Sequence, residues 1–328
     1  MAAQTPNKIS TTFSRSPTPT LSLSVPTDLL SPEQLAIPGK LEFLAKQVVE
    51  GFITGLHKSP YHGFSVEFSE HRLYNTGEST KNIDWKLYAR SEKVFVKRYE
   101  EETNLRCQLV IDASASMYFP LDGPSKLQFS VLASAAIMNL LYRQRDAVGL
   151  AIFDDNLDTL IKPRGSGAHQ KLLMFELEAL LQRQRKQNRT RAVAALHTIA
   201  EAVHRRSLVV IFSDMFDAGA DNEKLYEALQ HLRYNKHEVI LFHVVDEKHE
   251  LDFDYENRPH IFVDLETGAE LKLNPVQLQQ AFQSSSAAFR RELQLKCGQF
   301  GIDLVEADTR KGFKQVLMPY LLKRAKLL

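Results

Sequence analysis

The sequence predicts an α/β protein: a doubly wound, mostly parallel sheet with one antiparallel edge strand, preceded by an N-terminal helix-plus-strands appendage. Three observations carry this. From Leu105 onward, short apolar runs alternate with longer amphipathic stretches, the signature of strands covered by helices on both faces. After the second of these strands only Asp154-Asp155-Asn156 separates it from Leu157–Lys162, so that segment must turn straight back as an antiparallel neighbour. Before Leu105 the alternation is absent and one helical period is followed by extended pieces.

Residues 1–35 are rich in Ser, Thr and Pro, as in Thr11-Thr12-Phe13-Ser14-Arg15-Ser16-Pro17. Such a composition cannot bury enough apolar surface to order itself, and a disordered tail is expected. In the appendage, 36–104, Leu41, Leu44, Val48, Phe52 and Leu56 share one helix face. Gly63–Phe68, Arg72–Gly77 and Ser91–Tyr99 read as extended. A short helix is expected over 82–90, holding Trp85, the single tryptophan, as a packing anchor. The remaining domain, 105–328, has expected strands at 106–112, 147–153, 207–213, 238–245 and 302–306. Helices are expected at 125–143, 168–183, 191–204, 222–234, 276–297 and 311–323, with Asn274-Pro275 as a helix start. A hairpin, His260–Leu265 with Ala269–Leu273 around Glu266-Thr267-Gly268, forms an insertion over about 249–274.

Charge and cysteine content narrow the class. Lys plus Arg number 41 against 40 Asp plus Glu, a net charge of +1, which argues against a general nucleic-acid binder. Two cysteines, Cys107 and Cys297, are too few for a disulfide framework and fit a reducing, cytoplasmic setting. No signal-peptide core opens the chain, and its longest nearly apolar run, Val131–Tyr142, is too short to span a bilayer. No membrane insertion is expected.

The chemistry concentrates at Leu109-Val110-Ile111-Asp112-Ala113-Ser114-Ala115-Ser116, a buried strand that ends on a carboxylate and two alternate hydroxyls. Oxygen donors of this kind suit a hard cation such as Mg²⁺ (or Mn²⁺). In open α/β sheets ligands bind outside the carboxyl ends of the strands. Ser207–Asp214 repeats the logic, an apolar run and then a carboxylate. Thr190 stands before an alanine-rich helix, where it either presents its hydroxyl to the same site or serves as a helix N-cap. Asp214 alone reads equally as a turn residue.

Taken together, D-x-S-x-S at Asp112, Thr190 before a helix and Asp214 at a strand end resemble the metal-ion-dependent adhesion site of von Willebrand factor type A domains, a Rossmann-like fold. The resemblance implies Ser114, Ser116 and Thr190 as direct metal ligands, with Asp112 and Asp214 near or behind them. The chain departs from that family where Met215 replaces the usual glycine after the second aspartate, and where Asn188-Arg189 precede the threonine.

Tyr74-Asn75-Thr76-Gly77-Glu78, Ile83-Asp84-Trp85-Lys86, Ala89-Arg90, Val96–Glu102 and Phe262–Gly268 are similar to the ordered motifs of the bacterial domain of unknown function 58 family. Relatives there are encoded beside MoxR-type AAA+ ATPases. The resemblance therefore implies a non-enzymatic, metal-dependent protein-binding module, an adaptor for such an ATPase, with a client protein offering a carboxylate. An Mg²⁺-dependent phosphohydrolase in the same crevice is the alternative. The sequence holds no G-x-x-x-x-G-K-[ST], G-x-S-x-G or H-E-x-x-H to support an enzyme of those classes.

Overall fold

The computed structural model describes residues 39–57, 71–73, 90, 95–97, 105–121, 123–154, 156–184, 192–215, 222–265 and 268–327. The tail, the expected strand 63–68, Trp85 and Thr190 lie outside the described residues. Helix α1 (Lys40–His57) is followed by a two-stranded antiparallel pair, β1 (His71–Leu73) and β2 (Phe95–Lys97), with Arg72 opposite Val96.

Then come β3 (Arg106–Asp112), a 3₁₀ turn (Ala115–Tyr118), α2 (Lys126–Arg143), β4 (Ala147–Phe153), β5 (Leu157–Arg164), α3 (Gly167–Leu181) and α4 (Ala192–Ala202). After these follow β6 (Leu208–Ser213), α5 (Asn222–Tyr234), β7 (Glu238–Val245), a π turn (Glu247–Leu251), β8 (His260–Val263) and β9 (Glu270–Leu273). The chain closes with α6 (Pro275–Phe300), β10 (Asp303–Asp308) and α7 (Lys314–Leu327).

The main sheet runs β10-β7-β6-β3-β4-β5. All of its pairings are parallel except β4–β5, which is antiparallel as the three-residue connection requires. The main sheet begins at β3, winds outward to β4, and later crosses to β6 on the opposite side of β3. The point where winding reverses therefore falls between β3 and β6, the position at which open α/β sheets hold their ligands.

Alternate strand residues feed two cores. Leu109, Ile111, Leu150, Ile152, Val210, Phe212 and Phe242 face α1, α2, α3 and α7. Val110, Ala151, Val209, Ile211 and Leu241 face α4, α5 and α6. Helix α2 is buried on nearly every side because Leu41, Leu44, Ala45, Val48 and Val49 of α1 cover the face that the sheet does not. That double cover explains why α2 is apolar all round instead of along one stripe. Its entry is fixed by a capping box, in which the Ser125 hydroxyl accepts from the Gln128 N–H and the Gln128 side chain accepts from the Ser125 N–H.

Element ends differ from expectation where glycines set them. Helix α6 runs on to Phe300 and stops at Gly301, whose φ of 70° only glycine adopts without cost. Helix α7 starts at Lys314, three residues later than its periodicity suggests, because Gly312 (φ 72°) turns the chain first, and it continues to Leu327.

Candidate functional site

The crevice at the carboxyl ends of β3 and β6 brings Asp112, Ser114, Ser116 and Asp214 together. Asp112, only 1 % exposed, spends one carboxylate oxygen on the Ser114 N–H (2.9 Å) and the other on the Ser213 hydroxyl (2.6 Å). The first bond closes a tight turn that carries the chain out of the sheet. It leaves Ser114 Oγ and Ser116 Oγ 3.1 Å apart. The second bond ties β3 to β6 directly. Ser213 Oγ in turn accepts the N–H of Met215 (2.9 Å), which holds Met215 at a φ of 53°. The position where a glycine was expected is thus left-handed, and a buried, bulky residue is kept there against its preference.

Asp214 faces a cation. Lys126, the first residue of α2, is 1 % exposed, and its Nζ donates to Asp214 Oδ2 (2.7 Å) and to Glu250 Oε1 (2.5 Å). Glu250 lies on the π turn after β7, and its other oxygen accepts the Asp246 N–H (2.9 Å). From below, His243 Nε2 donates to the Asp214 carbonyl at 3.0 Å, which fixes the proton on that ring nitrogen.

The electrostatics separate these groups. Burial first, and the Asp214 charge second, push the Asp112 carboxyl up to about 7, although Ser213 and Ser114 donate to it. Burial alone would lower the Lys126 ammonium, but the Asp214 and Glu250 carboxylates outweigh it and hold it above the ordinary lysine value. Glu250 is raised, chiefly by burial, with Lys126 opposing. His243 is lowered by burial, so it stays neutral.

The donor set fits a hard divalent cation. Two oxygens held at right angles by Mg²⁺ at 2.0–2.1 Å stand about 2.9 Å apart, close to the 3.1 Å between the serine hydroxyls. Among the described residues no three His, Cys, Asp or Glu side chains converge on one point, so any such site depends on hydroxyls. Thr190 lies outside the described residues.

Lys126, Ser213, Glu250 and His243 were not singled out from the sequence. Lys126 did carry a signal. A cation in the first turn of a helix opposes the helix dipole, and such a local conflict marks a residue with work elsewhere.

A doubly wound α/β fold with an acidic, hydroxyl-lined crevice at its winding reversal is the class that this geometry defines. The sequence pattern of DUF58, a protein family of unknown function, matches residues 70–292. The chain belongs to that family. It is 25 % identical over 300 residues to the uncharacterised protein Mb1516 of Mycobacterium bovis, covering 90 % of this chain and 92 % of the relative. The same figures hold for the uncharacterised protein Rv1480 of Mycobacterium tuberculosis.

Among solved structures it is similar to a conserved hypothetical protein, BatB, from Bacteroides thetaiotaomicron, at 16 % identity and a TM-score of 0.41 over 68 % of this chain and 99 % of that one. It is also similar to an aerotolerance-related membrane protein from Bacteroides fragilis, at 15 % identity and a TM-score of 0.41 over 67 % of this chain and 99 % of that one. In the present chain, among the described residues, no helix is long and apolar enough to cross a membrane.

Proposed function

We propose that this protein is a non-enzymatic, divalent-metal-dependent protein-binding module of the cytoplasm, acting as adaptor to a MoxR-type AAA+ ATPase. One observation supports the metal above all: two hydroxyls at octahedral spacing sit beside Asp112, a buried carboxylate whose neighbours do not neutralise it. Ser114 and Ser116 would hold Mg²⁺ or Mn²⁺, with Thr190 as a further oxygen donor and Asp112 and Asp214 near or behind them, the Asp214 Oδ2 already given to Lys126. An ion held directly by neutral hydroxyls keeps most of its charge, and a hard cation in that state takes an anionic oxygen. The expected extra ligand is a Glu or Asp side chain from the partner. The ATPase assignment rests on the company kept by the family's other members.

The test is capture of the MoxR-type ATPase by wild type, by Ser114→Asp and by EDTA-treated protein, with metal affinity measured separately by calorimetry. Ser114→Asp adds a permanent carboxylate beside the ion, so it should retain metal and lose the partner. EDTA should release the partner. Equal capture in all three arms overturns metal-dependent recognition. Metal-dependent turnover of phosphoesters by the pure protein replaces the binding reading with a phosphohydrolase.

A further inference from the structure

The hairpin of β8 and β9 is a sheet of its own, remote in pairing from the main one. Strand β8 is anchored by rings: Phe262 stacks on Phe253 at 5.7 Å and meets Tyr255 edge-on at 5.1 Å. Strand β9 forms one of the two edges of this sheet. Glu270, Leu271 and Lys272 are all exposed, Leu271 by 59 %. Among the described residues β9 pairs only with β8. Two-stranded sheets are marginal alone, and an open edge is a template for another strand.

The direction of the free groups follows from the register. The Asp264 N–H donates to the Ala269 carbonyl at 2.9 Å, and Phe262 stands opposite Leu271. Bonded pairs recur at every second residue of an antiparallel ladder. Leu271 therefore spends its N–H and C=O on β8, while those of Glu270 and Lys272 point outward.

The sequence on that edge is complementary to itself. In an antiparallel pairing about a two-fold axis through Leu271, Glu270 falls opposite Lys272 of a second copy, and Lys272 falls opposite Glu270 of that copy. Both are the residues whose main-chain groups face outward, so each cross pair exchanges two hydrogen bonds and an ion pair together. Leu271 meets its own equivalent in the non-bonded position, where side chains come closest.

We propose that β9 is a homodimer contact, joining two hairpins into one four-stranded sheet with isologous symmetry. A contact this small belongs to the weak class of interfaces.

Sedimentation equilibrium of the full chain tests this, over loading concentrations from about 10 to about 500 µM, the range of a weak contact. Wild type should rise from the 37.4 kDa monomer toward twice that mass. Glu270→Lys and Lys272→Glu should each remain monomeric, because each places like charges at both cross pairs. An equimolar mixture of the two variants should regain association, since every cross pair is again of opposite sign. Wild type that stays monomeric, single variants that associate like wild type, or a mixture that stays monomeric would each overturn the proposal.

Discussion

Asp112 and Asp246 leave the same edge of one sheet two strands apart, with 1 % and 0 % of their surface exposed. Asp246 is met by Arg310, whose Nε and Nη2 donate to one of its oxygens at 3.2 and 3.0 Å, while the His249 N–H donates to the other at 3.1 Å. Asp112 is met by neutral donors, the Ser213 hydroxyl and the Ser114 main-chain N–H and side chain, and a second carboxylate, Asp214, lies close enough to raise its pKa. A buried carboxylate left without a cationic partner carries an uncompensated desolvation cost, which a bonded cation offsets in part. Asp246 is thus held in a structural ion pair, whereas Asp112 is buried among neutral donors beside a second carboxylate.

The largest expected effect sharpens the comparison from the side of Lys126. Lys126→Met removes the ammonium between Asp214 and Glu250 and leaves a buried and a half-buried carboxylate facing each other. Breaking a buried pair in this way costs about 3–5 kcal/mol. Urea unfolding at pH 7.5 measures it, and an unchanged midpoint would show that the crevice does not need its internal cation.

Next comes Asp112→Asn, which should stabilise the metal-free protein. The folded-state pKa of Asp112 is raised, so between about 4 and about 7 the native state binds more protons than the unfolded one, and stability falls as pH rises through that window. Asparagine keeps the shape and removes the charge. At about 1.4 kcal/mol per pKa unit the gain at pH 8 is on the order of 2–4 kcal/mol. It should shrink toward zero below pH 4, and Mg²⁺ affinity should vanish. Thermal melts across pH, with and without Mg²⁺, decide this. A variant less stable than wild type at pH 8 would erase the distinction between the two aspartates.

The smallest effect has the opposite sign. Asp246→Asn should destabilise by about 1–2 kcal/mol through loss of charge-assisted bonds. The cost is limited because the Arg310 side chain is 42 % exposed and can turn to water. The same melts at pH 8 read it, and a gain in stability there would place Asp246 with Asp112.

The sheet was legible because its evidence is local. Apolar runs such as Leu208–Phe212 ending on a polar pair, and the Asp154–Asn156 connection, dictate strands and their direction without knowledge of distant residues. Half of the candidate site shared that advantage, since Asp112, Ser114 and Ser116 lie within five residues. Lys126 and Glu250 did not. Their meeting depends on where α2 starts, on the register of β7 against β6, and on a π turn after Val245 that hydrophobic periodicity does not encode. Ser213 read as the polar end of a strand. Its hydroxyl bond across to Asp112 appears only once β3 and β6 are neighbours.

Helix α6 is 26 residues long, roughly 39 Å at the usual rise, yet only Pro275, Leu293 and Cys297 of it are buried. One turn before Leu293, Phe289 lies against the His243 ring with centroids 6.3 Å apart, and that ring holds the Asp214 carbonyl. Exposed as it is, α6 is held at several points along its length: Phe282 on the Phe253 ring, Gln279 and Gln283 donating to the Asp252 carbonyl, Arg290 on Glu306 and Lys296 on Glu223. Through Phe289 and the His243 ring, the outermost helix and the backbone of the crevice aspartate Asp214 are thus joined by two successive contacts.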